Sequence, residues 1–355
     1  LQLRTTHWWK IPWTEEIKQL KQNEFLNQAS LLLREGGLVA FPTETVYGLG
    51  ADATNEQAVS TIFTAKGRPS DNPLIVHLGE VEQLSDWVAE IPDVAHQLIE
   101  RFWPGPLTLV LPHNGRVASQ VTAGLSTVAV RIPEHPVALA LLQLAQVPVA
   151  APSANRSGRP SPTEAAHVWK DLSGRIDILL DGGATGVGVE STVIDVTEKT
   201  PVLLRPGGVT IEEIRDVIGD VRVDQGLFSK MVAPRSPGMK YQHYAPRGEM
   251  WLVSGSEQKM RARITQLARE AMREKRKVGI LTTEEFQDQY QADLVIACGQ
   301  RKEPASVAKD LYHTLRRFDD EDIELILAET FPEKGLYHSV MNRLQKAAGG
   351  KIIRV

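Results

Sequence analysis

Leu38-Val39-Ala40-Phe41-Pro42-Thr43-Glu44-Thr45-Val46-Tyr47-Gly48 is the first stretch in which an apolar run gives way abruptly to polar residues. Four apolar residues closed by a proline read as a short buried strand, with two hydroxyls and a carboxylate in the loop beyond it. Upstream, Leu26, Ala29, Leu32 and Leu33 recur at helical spacing from about Glu24 to Glu35, and Gly36-Gly37 stops the pattern. Downstream, Asn55 caps a second helix with Val59, Ile62 and Phe63 on one face, ending at Lys66-Gly67-Arg68-Pro69. Helix, strand, polar loop and helix in succession open an α/β domain.

The alternation continues along the chain. Strands are expected at 74–78, 107–111, 128–132, 147–150, 176–180, 192–196 and 202–204, with helices at about 94–102, 137–145 and 163–171. Thr210-x-x-Glu213 is a capping box opening one more short helix. Periodicity then fails from Gly219 to about Gly248, where Pro234, Pro237, Gly238 and Pro246 punctuate the chain. Met239, Tyr241, His243 and Tyr244 are too sticky for a passive spacer. Beyond it, strands at 250–253, 278–281, 294–297 and 324–327 alternate with helices. The expected organisation is a large domain over 1–218, a linker over 219–248, and a smaller α/β domain over 249–355.

Composition limits the function. The 355 residues are 42% hydrophobic and 24% charged, enough for two packed domains. Lys and Arg number 40 against 44 Asp and Glu, a net charge of −4, which argues against a dedicated duplex-binding face. The deficit lies in residues 1–247, so any anion held there needs a locally assembled cationic site. Cys298 is the only cysteine, which excludes an internal disulfide and a cysteine zinc cluster. No apolar run approaches the roughly 18–20 residues that span a bilayer, so a cytoplasmic protein without membrane attachment is expected.

Two nucleotide motifs fail on inspection. Gly48-Leu49-Gly50-Ala51-Asp52-Ala53 has loose dinucleotide-site spacing, but six residues part it from the strand it should follow directly. Gly183–Gly188 has P-loop spacing with Val189-Glu190 where Lys-Ser/Thr is required. What remains is a set of polar residues at element ends. Lys66 and Arg68 stand two apart in a proline-stiffened loop, suited to gripping an anion, although Lys66 also suits a helix C-terminus. His77 and Arg131 each interrupt an apolar strand. A strand His is commonly a bonded core residue, whereas a buried Arg needs a carboxylate or other anion, from the protein or from a ligand. Ala151-Pro152-Ser153-Ala154-Asn155 through Ser161 is a Ser/Asn/Arg loop fit for phosphate or ribose, or simply a surface turn. Asp181-Gly182-Gly183 and Gly186–Thr192 approach a strand through glycines, and Arg205 ends another.

Phe41–Leu49, Lys66-Gly67-Arg68-Pro69, Trp103-Pro104-Gly105-Pro106-Leu107-Thr108, Ala151–Asn155 and Leu204-Arg205-Pro206-Gly207 occur in the order found in the YrdC-like family, which the chain closely resembles. Ser236-Pro237-Gly238-Met239-Lys240-x-x-His243-Tyr244-Ala245-Pro246 and the added C-terminal domain resemble the long, two-domain threonylcarbamoyl-AMP synthases. The resemblance implies a twisted, mainly parallel sheet around a basic cavity, followed by a smaller Rossmann-like domain. It implies that L-threonine, bicarbonate and ATP, with Mg²⁺, yield L-threonylcarbamoyladenylate and pyrophosphate. The adenylate would then pass to the tRNA threonylcarbamoyl-transfer machinery acting on adenosine 37.

Matched motif by motif, the resemblance places L-threonine at Thr45, His77, Arg131, Ala151 (through its backbone) and Ser191. It places ATP at Arg68, Asn72, Thr127, Ser153, Ser161, Arg205 and His243. Lys66 and Arg68 are the catalytic cations, with Lys66 helping to hold bicarbonate or phosphate, and no protein-bound metal is implied. Tyr241–Tyr244 would fold over the pocket as a lid. The competing reading is an RNA-binding or regulatory module that keeps the cavity without the chemistry; Arg273-Glu274-Lys275-Arg276-Lys277 would supply a weak RNA contact, although cations are expected at a helix end.

Overall fold

Asn23 opens the first long helix by accepting a hydrogen bond from Leu26 N at 3.2 Å, and Asn55 opens the next by accepting from Ala58 N at 3.0 Å. These helices, α2 (Glu24–Arg34) and α3 (Glu56–Lys66), follow a short α1 (Ile17–Leu20). α3 stops at Gly67, whose φ of 63° is the left-handed conformation that glycine adopts without strain. The computed structural model describes residues 4–12, 14, 16–224, 226 and 243–355. Most of the expected linker, including Tyr241 of the lid, lies outside the described residues.

The chain divides into two units. The first comprises Leu1–Ser157, Ser161–Gly186 and Glu190–Lys240; the second comprises Tyr241–Val355 with Gly158–Pro160 and Val187–Val189. In the first, eleven strands form one sheet among the described residues: β1 (His7–Lys10), β2 (Val39–Phe41), β3 (Gly48–Asp52), β4 (Ile75–His77), β5 (Leu107–Pro112), β6 (Thr127–Arg131), β7 (Val149–Ala150), β8 (Ile178–Asp181), β9 (Thr192–Asp195), β10 (Val202–Arg205) and β11 (Arg222–Val223). Their order is β1-β8-β2-β3-β7-β4-β6-β5-β9-β10-β11. The class is α/β, as expected, with parallel pairs such as β4–β6 and β5–β9 beside antiparallel ones such as β5–β6 and β2–β3. The helices α4 (Asp93–Phe102), α5 (Pro136–Ala145) and α6 (Ala165–Leu172) stand where periodicity placed them. The Thr210 capping box opens a helix over Ile211–Ile218, with Thr210 Oγ1 accepting from Glu213 N at 3.2 Å.

Strand β3 was not expected, because Gly48-Leu49-Gly50-Ala51 has little strand propensity. Packing overrides propensity here. A Cβ on Gly50 would lie 2.7 Å from Val149 Cγ1 and 2.8 Å from Phe41 Cε1, so the glycine lets two neighbouring side chains cover the strand. Gly50 is thus a strand-packing residue, consistent with rejecting a dinucleotide loop.

The second unit carries its own parallel sheet: β12 (Glu249–Ser254), β13 (Val278–Thr282), β14 (Leu294–Ala297), β15 (Leu325–Glu329) and β16 (Ile352–Arg354), ordered β14-β13-β15-β12-β16. Buried Glu329, ending β15, accepts from Tyr290 Oη at 2.6 Å, Thr282 Oγ1 at 3.0 Å and Arg301 Nη1 at 3.2 Å. Three donors make this carboxylate a tenable interior group.

Replacing Gly50 by Val should lower the stability of the first unit by about 1–3 kcal/mol, the usual cost of forcing carbon into a filled core. A urea midpoint equal to that of the wild type would contradict this packing role.

Candidate active site

Register across the sheet brings the interrupting polar residues together. His77 pairs with Arg131 across β4–β6, and Leu109 pairs with Val130 across β5–β6, which sets Thr108 opposite Arg131. Side chains opposite one another share a face, so Thr108, Arg131 and His77 form one polar row beside an apolar cluster. Ile75, Val110, Ala129 and Val193 belong to the buried apolar cluster on that sheet.

Arg131 is only 2% exposed. Its Nη2 donates to Glu44 Oε2 at 3.0 Å and its Nη1 to Thr45 Oγ1 at 3.0 Å. Thr45 Oγ1 lies 2.8 Å from Thr43 Oγ1, and Thr43 donates its single hydroxyl proton to Val46 O at 2.6 Å. Proton counting therefore orients the chain: Arg131 donates to Thr45, Thr45 to Thr43, and Thr43 to the backbone. Burial lowers the proton affinity of the Arg131 guanidinium and Glu44 opposes this, but an arginine keeps its charge. Burial raises the Glu44 carboxyl above its usual 4.5, against the lowering pull of Arg131. Glu44 Oε1 and Arg131 Nε are buried and have no hydrogen-bond partner among the described residues.

His77 Nδ1 lies 3.2 Å from Ile75 O, and the ring is edge-on to Phe41. Burial first, then the Arg131 charge, pushes its pKa down to about 3, so the ring is neutral at physiological pH. Ala151 follows β7 and donates its N–H to Ile75 O at 2.9 Å, on the same carbonyl that faces His77 Nδ1.

On the β9 and β10 side, Ser191 Oγ lies 2.7 Å from Thr108 Oγ1. Arg205 Nη2 donates to Ser191 O at 2.8 Å and to Ser191 Oγ at 3.1 Å. Ser161 Oγ donates to Glu190 Oε1 at 2.6 Å. Lys66, 2% exposed, donates from Nζ to the carbonyls of Ser153 and Asn155, the latter at 2.7 Å, while Ser153 Oγ donates to Asn155 Oδ1 at 2.6 Å. Its ammonium thus organises the Ser153–Asn155 loop from the end of α3. Arg68 Nη2 is 3.3 Å from the carbonyls of Asn72 and Pro73, and Asn72 Nδ2 is buried without a partner among the described residues.

The structure thus gathers Thr45 from the loop between β2 and β3, His77 and Arg131 at the ends of β4 and β6, and Ala151 just beyond β7; it also joins Ser191 to Arg205 and Lys66 to Ser153. Thr127 begins β6 while Arg131 ends it, roughly 13 Å away at strand rise. His243 belongs to the second unit, its ring 5.7 Å from that of Tyr244. Sequence reasoning did not assign Thr108, Glu44 or Glu190 to the site. Thr108 carries the signal that marked His77, a polar side chain inside an apolar strand.

A family model described as Telomere recombination matches residues 31–207, and one described as Threonylcarbamoyl-AMP synthase, C-terminal domain, matches residues 209–349. A threonylcarbamoyl-AMP synthase of Bacillus subtilis (strain 168) is 52% identical over 347 residues, spanning 98% of this chain and 99% of the relative. This chain belongs to the threonylcarbamoyl-AMP synthase family. The family member from Pyrococcus abyssi is 52% identical over 328 residues, 92% of this chain and 95% of its own. Among solved structures, P. abyssi Sua5 complexed with L-threonine matches with a TM-score of 0.89 and 48% identity, covering 99% of each chain. A doubly substituted P. abyssi Sua5 matches at 0.92 and 48%, covering 99% of this chain and 98% of that one.

Neutral His77 makes the first unit acid-sensitive. Below about 6.5 the unfolded chain takes up a proton here that the folded chain refuses, so stability present above that pH is lost as pH falls toward about 3. Between pH 7 and pH 5 the wild type should lose about 2 kcal/mol more than a His77→Gln variant. Equal losses in urea titrations would contradict a neutral buried His77.

Proposed function

We propose that this protein makes L-threonylcarbamoyladenylate from L-threonine, bicarbonate and ATP, releasing pyrophosphate, and that the adenylate supplies threonylcarbamoyl modification of tRNA adenosine 37. The observation that carries the reading is the buried Arg131 with an unpartnered Nε beside Thr45 and neutral His77. A guanidinium with donor capacity to spare in an apolar sheet is a carboxylate receptor. Kinship over almost the whole chain supports the substrate.

In this reading Thr45, His77, Arg131, Ser191 and the Ala151 backbone seat L-threonine. Arg68, Asn72, Thr127, Ser153, Ser161 and Arg205 hold ATP. Lys66 fixes the loop that carries Ser153. The amine attacks bicarbonate to give a carbamate, and a carbamate oxygen attacks the α-phosphorus of ATP and expels pyrophosphate. The protein's contribution is to bring three anionic reactants together and offset their charge with fixed donors. Glu44 Oε2 accepts from Arg131 and Glu190 Oε1 accepts from Ser161, and two carboxylates already committed to protein donors do not make a metal cage. Mg²⁺ therefore enters with the nucleotide as MgATP.

The downstream tRNA-modifying machinery is the proposed recipient of the product, and the cytoplasm the proposed location. No helix among the described residues is long and apolar enough to cross a membrane.

Pyrophosphate release should require L-threonine and bicarbonate together. Release independent of either would reject the reading, as would its absence from the wild type. Arg68→Ala should raise the KM for ATP about tenfold or more, the loss of one charge-assisted contact, with an unchanged circular dichroism spectrum; an unaltered KM would remove Arg68 from the nucleotide site.

A further inference from the structure

The Arg131–Glu44 pair is unusual in what it leaves unused. Each partner spends part of its hydrogen-bonding capacity on the other, yet Glu44 Oε1 and Arg131 Nε are both buried and unpartnered among the described residues. A buried polar atom without a partner is costly, so two in one ion pair call for a ligand that satisfies both. The missing partners are an acceptor for the guanidinium and an N–H donor for the carboxylate. A zwitterionic α-amino acid carries both, each bonded to the same carbon.

Resting on the reading that Arg131 seats the L-threonine carboxylate, we propose that Glu44 is the general base that takes a proton from the substrate ammonium through Oε1. An ammonium has no lone pair and cannot attack bicarbonate, so its proton must leave first. The ammonium gives one proton to the Glu44 carboxylate, leaving a neutral amine and a protonated Glu44. The amine lone pair forms the N–C bond to bicarbonate. A C–O bond breaks, and the departing hydroxide leaves as water with the second amine proton. The products are a carbamate and water, and the proton on Glu44 returns to solvent.

Competing bases are poorly placed. His77 is neutral but weakly basic, because burial and the Arg131 charge disfavour its cation. Glu190 already accepts from Ser161. The charged groups acting on Glu44 are Arg131, which favours its carboxylate, and Glu134, which disfavours it. Burial outweighs the attraction of Arg131 and of the Glu44 and Glu134 backbone N–H groups, and brings the carboxyl closer to the basicity that proton transfer at neutral pH requires.

The test is Glu44→Gln, which keeps size and one acceptor oxygen but removes the base. At neutral pH, kcat should fall about a hundredfold or more, the usual loss for a general base, while the KM for L-threonine stays within about threefold. The residual rate should climb with pH as solution supplies free amine. A pH profile of wild-type shape, a kcat within about threefold of wild type, or a raised KM with kcat preserved would each overturn the proposal, the last showing Glu44 to be only a counterion for Arg131. If Glu44→Gln fails to fold, Glu44→Asp decides. A retained carboxylate set back by one methylene should lower kcat about tenfold or more and keep the wild-type acid limb, whereas a change in KM alone overturns the proposal. Wild-type pyrophosphate release dependent on L-threonine and bicarbonate is measured alongside, so that failure of the overall reaction is distinguished from failure of Glu44.

Discussion

A full positive charge inside a sheet is the constraint around which the first unit is arranged. Arg131 ends a strand whose other residues are Thr, Val, Ala and Val, and almost none of its surface meets solvent. An unpaired cation there would be strongly destabilising, and removing one partner from such a pair costs far more than the pair itself gains. The loop Pro42–Tyr47 exists in its observed form because it supplies the answer, Glu44 for charge and Thr45 for geometry. That loop is fixed in turn by backbone bonds from Tyr47 N to Pro162 O, Leu49 N to Pro152 O and Ala154 N to Tyr47 O, each 2.8 Å. The Ser/Asn/Arg loop is therefore held to the same frame as the ion pair.

Much of this was legible before any coordinates. The strands around His77 and Arg131, the Asn55 cap and the Thr210 capping box follow from local chemistry: apolar runs, side-chain caps and terminating glycines. Polar residues inside apolar strands pointed at the site because burying them demands a partner. Other features depend on distant residues and could not be read locally. The strand at Gly48–Asp52 exists because Phe41 and Val149 pack over Gly50. The short strand His7–Lys10 exists because Ile178–Asp181 offers it an edge. Lys66 looked like a helix-end cation and is instead a buried clasp on two carbonyls, which depends on a loop some ninety residues away.

The second unit solves the buried-charge problem differently. Glu329 accepts from three donors, one of them Arg301, whose guanidinium also lies over the ring of Phe331, 5.0 Å from its centroid. That network is satisfied, so it stabilises and specifies. The Arg131 network leaves atoms over, so it is prepared to receive something. The contrast separates a structural ion pair from a candidate binding one without reference to any relative.

The hydrogen-bond chain through the two threonines has a direction, and that direction filters what can dock on it. Thr45 receives from Arg131 and gives its only proton to Thr43, which gives its own to Val46 O. The Thr45 oxygen therefore faces any newcomer as a lone pair with no hydrogen to offer. A hydroxyl or amine is welcomed at that point and a carboxylate is repelled, so the polarity of two small side chains imposes an orientation on whatever Arg131 draws in.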